Sequence, residues 1–382
     1  MQSFTFNTAP FLVFGPGSIA RIGEIAAQHL GPRIALVTDA GLVKAGLLEK
    51  ALHVLEEAGV AVDLFDGVVA DPSEAVVLAA VAQAKAFDAR AVIGFGGGSS
   101  IDVAKLVALL LAGEETLPEI YGVGLAKGPR LPLLAVPTTA GTGSEVTPIS
   151  IVTTGAHEKK GVVSPLIIPD IALLDPDLTL NLPPHVTAAT GIDAMVHAVE
   201  AYTSTSANNN PVSKALAKEA LRLLGCNIER AVHHGDDGEA RAAMLLGSML
   251  AGQAFANSPV AAVHALAYPI GGHFGVPHGL SNALVLPHVL RFNASACEQA
   301  YAELLPHAFP DLAEEASADA FVEALAALCM KVGLQPRLRD VGIPQDALAM
   351  LAEDAMKQTR LLVNNPRPLS LSDARAIYEA AW

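Results

Sequence analysis

Between Pro32 and about Asp175, short apolar runs alternate with longer Ala/Leu-rich stretches of helical spacing. RIALVTD leads into a helix ending near Ala58, followed by VAVDLF; a second helix covers Glu74–Phe87 and precedes RAVIGFGGGSS. A third, SIDVAKLVALLLAG, runs on to LPLLAVPTTAGTGSE, and TPISIVTT, KKGVVSP and IALLD predict further strands. Regular alternation of this kind predicts a mostly parallel sheet, because parallel strands need long crossovers and covered faces. After NLPPHVTAAT, around Asn181–Thr190, the strand pattern stops, and Ala/Leu helical periodicity with Pro and Gly breaks continues to Trp382. The boundary falls near Leu182, dividing an α/β domain, 1–182, from an all-helical domain, 183–382. A cleft between two such halves is a natural ligand site.

Composition narrows the picture. A chain of 382 residues suits two or three domains, and 52% hydrophobic against 16% charged residues excludes disorder. A formal charge of -15 argues against binding to nucleic acid or an anionic membrane, since both rest on positive surfaces. Cys226, Cys297 and Cys329 form no CxxC pair and read as ordinary thiols of a reducing compartment. The opening MQSFTFNTAPFLVFGPGS has neither a basic start nor a long apolar run, so no signal peptide is expected and the cytoplasm is the expected location. Ala242–Leu290 contains no Asp, Glu, Lys or Arg, yet Pro259, Pro269 and Pro277 interrupt each candidate membrane window. A buried helical core is the better reading.

Two glycine-bearing loops follow apolar strands. In GFGGGSSIDVAK, Gly94–Lys105, glycines permit close backbone approach to a phosphate and the helix start offers N–H groups. The GxGxxG fingerprint is incomplete, with Ser99 in the third glycine place, and a tight strand–helix turn is the alternative. PTTAGTGSEVT, Pro137–Thr147, is a second loop of glycines and small hydroxyls; two such loops at strand carboxyl ends can converge on one pyrophosphate. Asp39 ends RIALVTD, where it either bonds a ribose diol or caps the next helix.

The charge-free span holds VHALAYPIGGHFGVPHG, with His264, His273 and His278. A buried imidazole without a partner costs ~1–3 kcal/mol, so backbone carbonyls, waters or a metal must satisfy these rings. TGIDAMVHAVEAY places Asp193 and His197 on one helical face, either as metal ligands or as a hydrogen-bonded pair. Three imidazoles and a carboxylate suit Fe²⁺ or Zn²⁺.

Together, GFGGGSSIDVAK, PTTAGTGSEVT, GIDAMVHAVEAY and HALAYPIGGHFGVPHG resemble the iron-containing (group III) alcohol dehydrogenase family, from FGPGS at Phe14–Ser18 to NNPRP at Asn364–Pro368. The resemblance implies a dehydroquinate synthase-like architecture, with a Rossmann-like dinucleotide-binding domain, a helical domain and a divalent metal between them. It implies Asp193, His197, His264 and His278 as ligands, acting in catalysis through Fe²⁺ or, alternatively, Zn²⁺. Cofactor contacts would fall on Asp39, Gly96, Gly97, Gly98, Ser99, Thr138, Thr139, Ser144 and Lys159, with Asp102 hydrogen-bonding beside the pyrophosphate loop. An acid at position 39 favours NAD over NADP by repelling a 2′-phosphate. Tyr268 stands where many members carry a second histidine, near substrate and nicotinamide; His273 lies outside the metal motif, lining the cleft or bonding locally. The implied activity is hydride transfer between nicotinamide C4 and a small alcohol, aldehyde or ketone, by a homodimer or larger assembly. A maleylacetate reductase-like enzyme is disfavoured by the complete ligand set. A dehydroquinate synthase-like lyase is disfavoured because its acidic sugar phosphate would need Lys and Arg where Ala242–Leu290 has none.

Overall fold

The computed structural model describes residues 3–155 and 158–382; Met1 and Gln2, part of the stretch read for a leader, lie outside them. The chain forms two compact units. One is Asn7–Thr139 with Gly143–Leu180; the other is Asn181–Trp382 with Ala140–Thr142 and the N-terminal segment through Phe6.

Among the described residues, the first unit carries β1 (Phe11–Phe14), β2 (Arg33–Val37), β3 (Ala61–Phe65), β4 (Ala91–Gly96), β5 (Gly122–Val123), β6 (Leu133–Pro137), β7 (Ile149–Thr154), β8 (Glu158–Val163) and β9 (Ile171–Leu174). Six of these make a wholly parallel sheet in the order β1-β9-β6-β4-β2-β3. The rest form a small sheet, β5-β8-β7, with β7 and β8 antiparallel. Side chains alternate along each strand, so successive residues enter different cores. Ile34, Leu36, Ile93, Phe95, Leu134 and Val136 pack under the helices Ile22–His29 and Glu49–Glu57. Ala35, Val37, Val92 and Leu133 pack against Glu74–Ala86 and Gly98–Ala112 on the other face. Burial on both faces explains why β4, β6 and β9 are continuous apolar runs with every residue buried.

The register of the central pair positions the glycine loops. Gly96 at the end of β4 lies opposite Pro137 at the end of β6, and Thr138 donates its N–H to the Gly96 carbonyl at 3.0 Å. The two loops therefore leave the same sheet edge side by side. Asp39 follows β2, the other neighbour of β4, at that same edge.

In the helical unit, Pro184–Thr203 is buried nearly all round, as a helix surrounded by others must be. It packs against Pro211–His233, Gly238–Asn257 and His278–Ala308. The sequence suggests breaks at its prolines, but Ala262–Phe274 runs through Pro269 and His278–Ala308 through Pro287. Packing outweighs the ~3 kcal/mol penalty of an interior proline. The break comes at Gly275, whose φ of 65° ends one helix in the left-handed conformation, and Pro277 precedes the next. No helix of the described residues is long and apolar enough to cross a membrane.

The FGPGS turn has its own anchor. The fully buried Asp175 carboxylate accepts the Gly17, Ile19 and Asp177 N–H groups at 3.0, 2.9 and 3.1 Å, clamping the turn to the end of β9. Asp175→Ala would strand these donors, and urea unfolding should register a loss of about 2–4 kcal/mol. A loss under about 0.5 kcal/mol would show that the clamp contributes nothing.

Candidate functional site

The helix Gly98–Ala112 begins directly after the strand, with Gly97 as N-cap and no side-chain cap. The N–H groups of its first turn lack helical acceptors, and the positive end of the dipole lies there. Gly96 has φ of 149°, and a Cβ on it would stand 2.7 Å from the Ser100 hydroxyl, so only glycine fits. Gly96, Gly97, Gly98 and Ser99 thus form a turn of a kind that can accept an anion, with Thr138 and Thr139 on the neighbouring loop.

Lys105, which the sequence does not single out, holds the two loops together. Fully buried, its ammonium donates to Ser144 Oγ, Thr147 Oγ1 and the Ile149 carbonyl at 2.8, 3.2 and 2.7 Å. The Asp102 carboxylate lies 3.7 Å from it and accepts from the Ser144 hydroxyl at 2.5 Å and the Ile151 N–H at 2.9 Å. Ser144 thereby ties the second loop to the first helix. Burial pushes Lys105 down to about 8, against the opposing pull of Asp102 and Glu145. It pushes buried Glu145 up to about 7, against Lys105. Asp102 is likewise raised by burial, although Lys105, Ser144 and Ile151 oppose the shift.

Asp39 is the N-cap of the helix Ala40–Lys44, its Oδ1 accepting the Leu42 N–H at 3.1 Å. Capping occupies one oxygen and does not exclude a second role for the other. Lys159 on β8 pairs with Asp71 and donates to Thr153 Oγ1 at 3.2 Å.

The second cluster lies in the helical unit. One carboxylate oxygen of Asp193 and one ring nitrogen each of His264 and His278 lie within 4.8 Å of one another. His264 Nε2 and His278 Nε2 stand 3.8 and 3.6 Å from Asp193 Oδ1. Ligand atoms about 2.0–2.2 Å from a tetrahedral cation would be roughly 3.4 Å apart, so a small closure brings these into range. His197 stands beside the group, its ring stacked on those of His264 at 4.7 Å and Phe255 at 4.2 Å. Its Nδ1 lies 3.2 Å from the carbonyl of Gly141, one of the three loop residues that belong to this unit. Donation from Nδ1–H leaves the lone pair on Nε2. Burial drives His197 down to about 3, against the pull of Asp193. Burial disfavours the Asp193 charge too, but the three imidazoles and Asn282 outweigh it and hold the carboxyl below its ordinary value.

Asn282, one helical turn after His278, places its amide nitrogen among these acceptors, 2.5 Å from Asp193 Oδ1 and 3.3 Å from Nε2 of both His264 and His278. Asn282 Oδ1 is buried without a partner. Two imidazoles, a carboxylate and no thiolate suit Fe²⁺ or Zn²⁺, so the residues fit such an ion. Glu200, on the same helix face as Asp193 and His197, accepts from His264 Nδ1 and the Val263 N–H at 2.7 Å each. Its i+7 spacing from Asp193, like the i+4 spacing of Asn282 from His278, was the available signal for both. Tyr268 has its ring 5.9 Å from that of His278, whereas His273 turns to Asp354, with Nε2 2.5 Å from Oδ2.

Comparison with known proteins agrees with both halves. The profile for iron-containing alcohol dehydrogenase matches residues 9–176, and that for the Fe-containing alcohol dehydrogenase family, C-terminal, matches 187–382. Long-chain-alcohol dehydrogenase 1 of Geobacillus thermodenitrificans is 41% identical over 370 residues, covering 95% of this chain and 92% of its own. A solved 1,3-propanediol oxidoreductase superposes with a TM-score of 0.95 at 36% identity, covering 100% of both chains. Sulfoacetaldehyde reductase from Bifidobacterium kashiwanohense, solved in complex with NAD⁺, superposes with a TM-score of 0.88 at 28% identity, covering 100% of this chain and 99% of that one.

The depressed His197 sets an acid limit on the metal-free protein. Its ring protonates near 6.5 when unfolded and only near 3 when folded, so between these values the unfolded state holds more protons and stability rises with pH. Asp193, shifted below 3.8, adds its own loss only further into acid. Going from pH 7 to pH 5 in chelator should cost up to about 2 kcal/mol from His197 in urea unfolding, added to a loss from His288, which burial lowers to about 4. His197→Asn should remove its share of that slope and leave the part due to His288; an unchanged slope would mean that the ring is not held neutral.

Proposed function

Because this chain belongs to the iron-containing alcohol dehydrogenase family, we propose that it is an NAD(H)-linked, metal-dependent alcohol dehydrogenase working reversibly as an aldehyde or ketone reductase. The observation that carries this reading is the convergence of an Asp193 carboxylate oxygen with one ring nitrogen each of His264 and His278 within 4.8 Å, beside the unpartnered Asn282 Oδ1. These residues, with His197 as fourth ligand, would hold Fe²⁺, or Zn²⁺ in its place. When bound, the cation supplies Lewis-acid polarisation of the substrate oxygen and the nicotinamide supplies the hydride acceptor. Asp193 brings a single negative charge to that ligand set, leaving a net positive site for an oxygen that gains charge.

The anion-accepting turn Gly96–Ser99, with Thr138 and Thr139, would hold the pyrophosphate. Ser144 and Asp102 keep the loops in place, Asp39 takes the ribose diol and Lys159 adds a cofactor contact. Tyr268, beside His278, supplies a hydroxyl for the substrate oxygen, whereas His273 is engaged by Asp354 and helps seat its helix. The absence of charged residues from Ala242 to Leu290 favours a small uncharged substrate. The maleylacetate reductase-like and lyase readings have no comparable support.

Among the described residues, the edge strand β1 pairs only with β9 and leaves Phe11, Leu12 and Phe14 exposed at 40%, 38% and 41%. An apolar edge of this kind supports a homo-oligomer, a homodimer at its simplest, with a second copy covering it. The free cysteines support a cytoplasmic location.

Asp193→Ala and His264→Ala should each lose bound metal and lower kcat by about 10²–10³-fold or more. Retention of both metal and turnover would overturn the ligand assignment. Asp39→Asn preserves the helix cap but removes the charge, and should raise kcat/KM with NADP by about tenfold or more relative to NAD. An unchanged ratio would release Asp39 from the ribose.

A further inference from the structure

Glu200 is buried, at 4% exposure, and the substrate, cofactor and metal roles above make no use of it. Buried carboxylates are costly unless paired and hydrogen-bonded, and both oxygens of Glu200 are committed. Oε1 accepts the Val263 N–H and Oε2 faces His264 Nδ1, both at 2.7 Å. The helix Ala262–Phe274 has no side-chain cap at its N-cap residue, Ala261, so Val263 would otherwise present an unsatisfied first-turn donor. The carboxylate thus sits at the positive end of that helix, where a negative charge is favoured.

The second contact decides the chemistry of the ring. An ionised carboxylate can only accept, so the proton of a neutral His264 must reside on Nδ1. The lone pair is then on Nε2, the nitrogen that faces Asp193 and the Asn282 amide. The opposite tautomer would set a lone pair against a carboxylate and turn an N–H toward the cluster. We propose that Glu200 is a positioning residue that selects the metal-binding tautomer of His264 and orients its ring, while anchoring the start of the helix that carries it. The proposal rests on the reading of His264 as a metal ligand. Such outer partners also raise the basicity of the ligand nitrogen, and their loss weakens metal binding by ~10–100-fold.

A purely structural cap and a tautomer selector respond differently to Glu200→Gln. The glutamine oxygen can still accept the Val263 N–H, but its NH₂ then faces Nδ1 as a donor and drives the ring proton to Nε2. ¹⁵N-histidine NMR of the metal-free protein reads the tautomer directly, with His264→Asn identifying the resonance. The wild type should show His264 protonated on Nδ1. Glu200→Gln should shift it toward Nε2–H and raise the Kd for Zn²⁺ by ~10–100-fold, with unchanged circular dichroism and NAD binding. A wild-type His264 protonated on Nε2, or a Glu200→Gln variant binding Zn²⁺ within about twofold of wild type, would overturn the proposal. If the glutamine variant does not fold, the wild-type tautomer still decides. If wild-type protein shows the Nδ1–H ring but binds neither Zn²⁺ nor Fe²⁺, the ligand reading falls while the Glu200–His264 contact stands.

Discussion

The carboxylate of Asp193 is the fixed point around which the polar interior of the helical unit is arranged. It lies on a helix buried nearly all round and faces Nε2 of two imidazoles and the amide of Asn282. Its neighbours are themselves held from behind: His264 by Glu200, and His197 by the Gly141 carbonyl. Each outer contact occupies Nδ1 and leaves the other ring nitrogen with its lone pair. The result is a concentration of metal-ligand type atoms in which Asn282 Oδ1 is left without a partner, in a low-dielectric setting where that is expensive.

The α/β unit works by a different constraint. Its parallel sheet brings the ends of β4 and β6 into register, so two loops distant in sequence must share one edge. Glycines there permit close approach but confer no rigidity. Rigidity comes from the buried Lys105, which reaches Ser144, Thr147 and Ile149 on the far loop while Asp102 accepts from the same serine. The charged pair lies under the loops and shapes them, leaving backbone N–H groups for an anion.

Strand and helix identity were legible because burial on two faces requires unbroken apolar runs, and crossover helices must separate them. The metal-type residues were legible through their spacing on helices and their isolation in a charge-free span. The prolines were misleading: Pro269 and Pro287 look like breaks, yet surrounding helices hold those segments helical. Asp39 was ambiguous because a cap and a ribose partner need the same residue at the same place. Lys105, Glu200 and Asn282 were not singled out, although helical spacing offered a signal for the last two. Each also draws its meaning from distant partners, Lys105 from Ser144, Glu200 from His264 and Asn282 from Asp193.

Local periodicity thus determined the two-part organisation, the glycine turns and the histidine-bearing helices, because these follow from how side chains repeat along a backbone. Only the tertiary structure decided which nitrogen of His264 and His278 is turned toward Asp193, which hydroxyls are consumed in holding loops and that Asn282 Oδ1 is left without a partner. Those outcomes depend on the pairing of buried polar groups across distant segments, and no local pattern specifies such a partner.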